Sequence, residues 1–243
     1  MSGGRKRGAA PGIEISPRLK GAIGNLQAVM FDLDGTLIDS IPTYVRIVAA
    51  VLDHLGLPPA SREAVSAALK GGFSGFHHLI PDEMSHRREE LVEAFLEAGK
   101  KISQRLYPGS VDLIPGTRKL FHRLADAGIR IGIVSSSHAG YIERKLSPLR
   151  EAGLDRLVET VIVIEDTAEM KPSPEPVKAC AERLDVRVDR SLFVGDADVD
   201  ILAGKRAGTY TAGVLTGVDD YEALAAEEPD AIVPGVQDLL PLF

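Results

Sequence analysis

The sequence of 243 residues contains one cysteine, Cys180, so an intrachain disulfide is excluded. Cys180 lies at helical spacing between Val177 and Leu184, which is typical of a thiol in a hydrophobic core. No hydrophobic run is long enough to span a membrane. Positive charge is also scarce: the net charge is −7, which argues against nucleic acid as the main partner. Any anionic ligand must therefore meet local positive charge, from basic side chains or a metal.

The first ten residues are basic and rich in glycine, but no apolar segment follows them. They therefore lack the pattern of a secretory signal, and we expect a cytoplasmic protein. Folded sequence is predicted to begin near residue 26. Residues 1–25 are predicted to form a disordered or loosely packed tail.

The spacing of apolar residues changes twice along the rest of the chain. The run Ala28–Leu33 predicts a buried strand. From residue 42 to about residue 105 the spacing is helical, with a glycine-rich break that starts at Lys70. Further on, strands predicted at 129–134, 158–164, 192–194, 210–215 and 231–233 alternate with predicted helices.

This alternation predicts an α/β fold with a Rossmann-like, doubly wound parallel sheet. The helical stretch after the first strand is explained most simply as an inserted α-helical cap domain. We therefore predict a core formed by residues 26–41 and 110–243, and a helical cap formed by residues 42–109.

Polar residues follow four of the predicted strands. Ligands of open parallel sheets bind beyond the carboxyl ends of the strands, so these residues are expected to share one site. In chain order they are Asp32 and Asp34, then Ser135 and Ser136, then Lys171, and finally Asp196, Asp198 and Asp200.

Several carboxylates at one sheet edge would repel one another and any anionic substrate. A divalent cation would remove both difficulties, and hard oxygen ligands favour Mg²⁺. Lys171 adds a compact charge suited to a phosphate oxygen, to which Ser135 can donate a hydrogen bond. One carboxylate could then attack phosphorus, and a second could protonate the leaving oxygen and later activate water.

Taken in order, these residues resemble the four signature motifs of the haloacid dehalogenase superfamily. The position of the helical stretch resembles the members that have a helical cap, and phosphoglycolate phosphatases and related sugar-phosphate phosphatases are the most similar group. The matching segments are Asp32-Leu33-Asp34-Gly35-Thr36-Leu37, Ser135, Lys171-Pro172 and Gly195-Asp196-Ala197-Asp198-Val199-Asp200.

The resemblance implies a role for each carboxylate. Asp32 would be the nucleophile and a Mg²⁺ ligand. Asp34 would be the general acid and base, with its backbone carbonyl on the metal. Asp196 would be a further metal ligand, and Asp200 would support the site from behind these ligands.

The resemblance also implies that Ser135 and Lys171 hold the transferring phosphoryl group. Ser136 fits either a substrate contact or a backbone-capping role. Lys70 fits either a surface lysine or a contact from the cap to the part of the substrate that is not transferred.

These assignments predict a Mg²⁺-dependent phosphatase, monomeric or homodimeric, that forms an aspartyl-phosphate. Its substrate would be a small phosphorylated metabolite of the phosphoglycolate or sugar phosphate class. A β-phosphoglucomutase-like enzyme is the alternative, although such mutases have a histidine where this chain has Tyr44 and an arginine near Ser74. A second alternative is a non-catalytic binding protein, which would not need both Asp32 and Asp34.

Overall fold

The structure is a computed structural model that describes residues 13–71, 75–107 and 109–243. This part of the chain contains seven strands that form one sheet. The strands are β1 (Glu14–Ile15), β2 (Ala28–Phe31), β3 (Arg130–Val134), β4 (Thr160–Ile162), β5 (Ser191–Gly195), β6 (Tyr210–Val214) and β7 (Ala231–Val233). Their order in the sheet is β1-β7-β6-β5-β2-β3-β4. All neighbouring strands are parallel except β1, which is antiparallel to β7.

The α-helices of the described residues lie between these strands. They are α1 (Pro17–Ala22), α2 (Ile41–His54), α3 (Arg62–Lys70), α4 (Arg88–Leu106), α5 (Thr117–Asp126), α6 (Ala139–Lys145), α7 (Ser147–Glu151), α8 (Glu175–Arg183), α9 (Asp198–Ala207) and α10 (Tyr221–Ala226). Among the described helices, none combines the length and the apolar character needed to cross a bilayer.

The central strand β2 is buried on both faces of the sheet. Val29 and Phe31 pack in the same cluster as Phe121 of α5, whereas Met30 packs in the cluster of Cys180 on α8. Side chains of a strand alternate between the two faces, so helices cover both of them. The predicted doubly wound α/β fold is confirmed, with one antiparallel strand added at an edge. The Cys180 thiol is fully buried, and burial raises its pKa to about 12.

Strand β2 also marks the point where the winding of the sheet reverses. The chain adds β3 and β4 on one side of β2, and then adds β5 and β6 on the other side. Such a switch point leaves a crevice beyond the carboxyl ends of the two strands that flank it. Asp32 follows β2 and Asp196 follows β5, so both carboxylates lie at this crevice.

The prediction of a loose N-terminal tail is wrong for the residues that follow Ile13. Glu14 and Ile15 pair with Ile232 and Ala231, and the α1 side chain Leu19 is fully buried in the main core. These contacts join residues that are more than two hundred positions apart, so a short sequence window carries no sign of them. For residues 1–12 the prediction lies outside the described residues.

Helices α2, α3 and α4 have a hydrophobic cluster of their own, in which Val51 and Phe95 are buried. Helix α2 agrees with the helical spacing predicted from residue 42, and Gly56 follows this helix with a positive φ of 65°. We call residues 41–106 the helical segment. That it forms a separate cap domain with the limits 42–109 stays a prediction. Residues 72–74 of the glycine-rich break lie outside the described part.

The helix expected between β3 and β4 is divided into α6 and α7. Pro148 lies in the first turn of α7, where its missing backbone N–H group is tolerated, but it cannot continue the hydrogen bonding of α6. The division leaves Lys145 at the end of α6, which matters for the site described next.

Candidate active site

Asp32 lies directly beyond β2 and is almost fully buried. Its backbone N–H donates to the carbonyl oxygen of Val194 at 2.8 Å, which continues the pairing of β2 with β5. The ammonium of Lys171 donates to Asp32 Oδ1 at 2.6 Å. A buried carboxylate that needs a partner thus has a compact cation beside it.

Lys171 joins two carboxylates, since its Nζ also donates to Asp200 Oδ1 at 2.6 Å. Only 4% of the Lys171 side chain is exposed. Burial alone would lower the pKa of Lys171, but the charges of Asp200 and Asp32 outweigh burial and raise it. Lys171 is therefore held as a cation at the strand ends, as predicted from its position in the sequence.

Asp32, Asp196 and Asp200 form a compact acidic cluster. One carboxylate oxygen from each lies within 4.8 Å of the others, and all three residues are buried. Burial raises the pKa of Asp32 to about 7 in spite of Lys171, and burial together with Asp32 and Asp200 raises the pKa of Asp196. Ionising these groups together is costly without another positive charge. Hard oxygen donors in this arrangement fit a divalent cation.

The cluster contains Asp32 and Asp196 of the predicted ligand set and adds Asp200. The ligand predicted from Asp34 is its backbone carbonyl, so its carboxylate is not expected among these groups. The two oxygens of Asp200 already accept from Lys171 Nζ and from the backbone N–H of Ala197 at 3.1 Å. That Asp200 supports the direct ligands stays a prediction. That the backbone carbonyl of Asp34 binds the metal also stays a prediction.

Asp196 is held in place by two hydrogen bonds. Thr36 Oγ1 donates to its Oδ1 at 2.9 Å, and the backbone N–H of Val218 donates to its Oδ2 at 2.8 Å. A β-carbon on Gly217 would overlap the Asp196 carboxylate. Glycine at position 217 is therefore required by the close approach of the loop after β6 to the acidic cluster.

Both oxygens of the Asp34 carboxylate accept hydrogen bonds from side chains. Ser40 Oγ donates to Oδ1 at 2.7 Å, and Lys145 Nζ donates to Oδ2 at 2.5 Å. The Asp34 side chain is 21% exposed, so it is more accessible than Asp32. Asp34 is thus oriented beside the nucleophile candidate, in a position suited to exchanging protons with a bound group.

The serines that follow β3 form a small hydrogen-bonded group. Ser135 Oγ donates to Ser137 Oγ at 2.9 Å, and Lys145 Nζ also donates to Ser137 Oγ at 2.6 Å. Ser135 and Ser137 are buried, whereas Ser136 is half-buried and lines the cavity described below. The predicted phosphate contacts of Ser135 and Ser136 stay predictions.

Lys70 lies at the end of α3 and makes ion pairs with the first residue of α9 and with the loop after β6. Its Nζ is 3.0 Å from Asp219 Oδ1 and 3.2 Å from Asp198 Oδ1. Burial opposes the charge, but Asp219 and Asp198 outweigh it and raise the pKa of Lys70. Lys70 also lines the cavity, and its predicted contact with substrate stays a prediction.

A cavity of about 510 Å³ lies between this sheet edge and the helical segment. Asp32, Asp34 and Lys171 line one end of it, and side chains of α2, α3 and α4 line the other. Ligand sites commonly enclose about 300–1,000 Å³. The carboxylates therefore face a space large enough for a small organic molecule.

The sequence analysis did not identify Lys145, Gly217 and Val218 as parts of the site. Lys145 closes a short helix as half of an Arg-Lys pair, which suits any helix end. Gly217 and Val218 follow the fifth parallel strand, and that strand end carried no recognised motif. The adjacent acidic pair Asp219-Asp220 was the signal available there.

Comparison with known proteins bears on the identity of this site. A sequence model described as haloacid dehalogenase-like hydrolase matches residues 29–214, which include all four strand ends discussed above. The chain belongs to the haloacid dehalogenase-like hydrolase family. The family assignment made from the four motifs is thereby confirmed.

Two curated relatives extend over nearly the whole chain. Pyrophosphatase PpaX of Anoxybacillus flavithermus is 31% identical over 221 residues, covering 90% of this chain and 97% of that protein. A phosphoglycolate phosphatase of Salmonella typhimurium is 32% identical over 240 residues, covering 89% of this chain and 92% of that protein. The prediction of a phosphoric monoester hydrolase of this family is confirmed.

Solved structures support the same fold. A structure described as a predicted phosphoglycolate phosphatase from Haemophilus somnus has a TM-score of 0.78 and 22% identity, covering 90% of this chain and 98% of its own. A structure provisionally described as a β-phosphoglucomutase from Thermotoga maritima has a TM-score of 0.65 and 24% identity, covering 89% of this chain and 98% of its own. At these identities the likeness concerns the fold alone.

Proposed function

We propose that this chain is a Mg²⁺-dependent phosphatase that hydrolyses a small phosphorylated metabolite through an aspartyl-phosphate on Asp32. The observation that carries the proposal is the pairing of two differently held carboxylates at one sheet edge. Asp32 is buried beside Lys171, whereas Asp34 is more exposed and is oriented by Ser40 and Lys145. One carboxylate is therefore suited to attack, and the other to proton transfer.

In the first step Asp32 attacks the phosphorus atom of the ester. A bond forms between a carboxylate oxygen of Asp32 and phosphorus, and the bond from phosphorus to the leaving oxygen breaks. Protonated Asp34 gives its proton to that oxygen, so the product leaves as a neutral alcohol. Lys171, which is 2.6 Å from Asp32, is placed to balance charge on the phosphoryl oxygens.

In the second step a water molecule attacks phosphorus. Asp34, now ionised, removes a proton from the water, and the bond from phosphorus to Asp32 breaks. Inorganic phosphate leaves, and both aspartates return to their starting states.

Asp32 and Asp196, with the backbone carbonyl of Asp34, would hold the Mg²⁺ ion, and Asp200 would support them. When bound, a divalent cation supplies positive charge to the oxygens of the phosphoryl group. The chemistry of the Asp32, Asp196 and Asp200 cluster supports this proposal, because its carboxylates lie together with raised pKa values at Asp32 and Asp196.

Hydrolysis of p-nitrophenyl phosphate in the presence of Mg²⁺ tests the proposal. Asp32→Asn should abolish turnover, provided that mass spectrometry excludes deamidation back to aspartate. Asp34→Asn should slow the second step, so that intact-protein mass spectrometry finds one added phosphoryl group on the chain. Substantial turnover by the verified Asp32→Asn protein would refute the mechanism.

The substrate class was predicted from the resemblance to phosphoglycolate and sugar-phosphate phosphatases. The relatives named above make 2-phosphoglycolate and pyrophosphate the first compounds to assay. A phosphomutase stays the alternative, because structures with that name share the fold. Isomerisation of a hexose 1-phosphate without phosphate release would favour the mutase. Failure to hydrolyse any phosphate ester would favour a binding protein.

A further inference from the structure

The cavity above the acidic cluster has two chemically different ends. Toward the sheet it is lined by Asp32, Asp34 and Lys171, which are the groups of the proposed reaction. Toward the helical segment most of the lining is aliphatic and aromatic, although Glu97, Lys100 and Ser103 of α4 also line the cavity. On that side lie Ile41, Ile47 and Val48 of α2, Leu69 of α3, and Phe95 and Leu96 of α4.

These apolar side chains surround space that is continuous with the reacting groups. Ile47, Val48 and Phe95 belong to the hydrophobic cluster of the helical segment and are almost fully buried. The cavity is therefore an opening into an apolar interior rather than a polar surface groove. The part of a substrate that lies beyond the scissile bond would meet this interior.

Gly99 of α4 gives a second, independent observation. Glycine destabilises a helix interior relative to alanine, so a helical glycine usually has a packing reason. Here a β-carbon at position 99 would approach only Val51 Cγ2, at 4.0 Å, so close packing does not require glycine. Gly99 lines the cavity, and the absence of a side chain enlarges the apolar end.

The charged groups nearest the reacting carboxylates are already engaged. Lys70 pairs with Asp219 and Asp198, and Lys145 binds Asp34. A charged leaving group placed against Ile47, Val48 and Phe95 would lose its hydration without gaining a partner from these side chains, which is unfavourable.

A charged leaving group would instead have to reach Lys100, at an exposed position of α4, or Arg144. Arg144 lines the cavity, and its guanidinium lies 5.0 Å from the Tyr107 ring and 5.5 Å from the Tyr141 ring. The variants Arg144→Gln and Lys100→Gln therefore test this competing route.

We propose that the apolar end of this cavity binds the carbon group of the substrate, so that the enzyme acts on phosphate monoesters with an apolar leaving group. This inference rests on the proposed function, and it departs from the phosphoglycolate or sugar phosphate class. The overall reaction is that of any phosphatase, in which water and the monoester give the alcohol and inorganic phosphate.

A series of alkyl phosphates, from ethyl to hexyl phosphate, tests the proposal on the full chain with Mg²⁺. These esters have nearly the same leaving-group acidity, so differences in kcat/KM report binding of the chain. Burial of each methylene should raise kcat/KM by about fourfold until the cavity is filled. The kcat/KM values of the longer esters should exceed those of 2-phosphoglycolate and pyrophosphate.

Filling the apolar end should shorten the preferred chain. Gly99→Leu is expected to lower kcat/KM for hexyl phosphate by about tenfold or more, and to move the optimum to shorter esters. Gln104→Leu adds the same side chain to an exposed position of α4 outside the cavity, and should leave the whole series unchanged. Alkyl phosphonates are not hydrolysed, because their chain is joined to phosphorus by a carbon–phosphorus bond. Their inhibition constants should show the same dependence on chain length as kcat/KM for the esters.

The outcomes separate this inference from the proposed function. If neither kcat/KM of the esters nor the inhibition constants of the phosphonates depend on chain length, the inference is overturned but the proposed function stands. A preference for 2-phosphoglycolate that is lost in Arg144→Gln or in Lys100→Gln also overturns it, and assigns a charged leaving group to that basic side chain. No turnover of any ester, p-nitrophenyl phosphate included, refutes the proposed function itself.

Discussion

Asp34 is fixed by two side chains from different parts of the chain, Ser40 and Lys145, each bonded to one of its oxygens. Lys145 also binds Ser137 and lies 4.9 Å from the centre of the Tyr44 ring. A carboxylate that is held in this way presents one geometry to the leaving oxygen. At the scale of single residues, the proposed acid and base therefore depends on a lysine outside the recognised motifs.

Replacing Lys145 with methionine should slow cleavage more for an ester whose leaving group needs a proton than for an ester whose leaving group does not. p-Nitrophenolate leaves without protonation, whereas an alkoxide does not. We expect kcat/KM of Lys145→Met to fall about tenfold further for an alkyl phosphate than for p-nitrophenyl phosphate. Steady-state kinetics with both esters measure this difference, and Lys145→Arg should recover part of it. Equal losses for the two esters would assign Lys145 a purely structural role.

Gly217 allows the loop after β6 to approach Asp196. In Gly217→Ala the new methyl group would displace the carboxylate, so the apparent affinity for Mg²⁺ should fall by about tenfold to a hundredfold. The Mg²⁺ concentration that gives half-maximal activity measures the change. Gly21→Ala is the control, because a β-carbon at position 21 meets nothing within 4 Å. An unchanged Mg²⁺ requirement in Gly217→Ala would contradict the packing argument.

At the scale of helices and strands, local patterns predict well where local interactions dominate. The predicted strand 231–233 agrees with β7, and α8 is one of the helices that alternate with the strands as predicted. The motif residues after β2, β3 and β5 do meet at one sheet edge, because parallel strands bring their ends together. Strand β1 was not predicted, because two residues are too few to show an alternating pattern and their pairing depends on a strand far away in the sequence.

Leu19 tests whether the first described helix belongs to the folded unit. Because it is fully buried in the main core, Leu19→Ala should lower the free energy of unfolding by about 2–5 kcal/mol. Urea denaturation measures the loss, and Lys20→Ala, at an exposed position of the same helix, should have little effect. A loss below about 0.5 kcal/mol, typical of surface sites, would instead support the loose tail that the sequence suggested.

At the scale of the whole molecule, the site concentrates negative charge in a chain that is already acidic. The net charge is −7, and the acidic cluster is buried at the switch point of the sheet. Sequence reasoning anticipated this conflict and predicted a divalent cation to relieve it. It could not anticipate the cavity, whose shape depends on how the helical segment lies over the sheet.

The buried cluster should make the stability of the metal-free protein depend on pH. The pKa of Asp32 is raised to about 7, so between about pH 4 and pH 7 the unfolded chain loses this proton while the folded chain keeps it. The folded state therefore loses stability as pH rises through this range.

Mg²⁺ should offset this loss, so it should raise Tm more at about pH 8 than at about pH 5, where protons compete for the carboxylates. Thermal unfolding with Mg²⁺ or with a chelator measures the effect. Asp196→Asn should abolish the Mg²⁺-dependent shift, whereas Asp189→Asn, at an exposed position, should keep it. A shift of equal size at both pH values would argue against the raised pKa of Asp32.

The short pairing of β1 with β7 has a consequence for how separate molecules behave toward one another. Without β1, the backbone N–H and C=O groups on the outer side of β7 would form an open sheet edge, and such edges recruit strands from other chains. A strand of two residues, continued by the bond from Ser16 N–H to the carbonyl of Asp230, covers that edge. Very short edge strands are one way in which proteins limit edge-to-edge pairing, so we expect deletion of residues 14–16 to increase self-association.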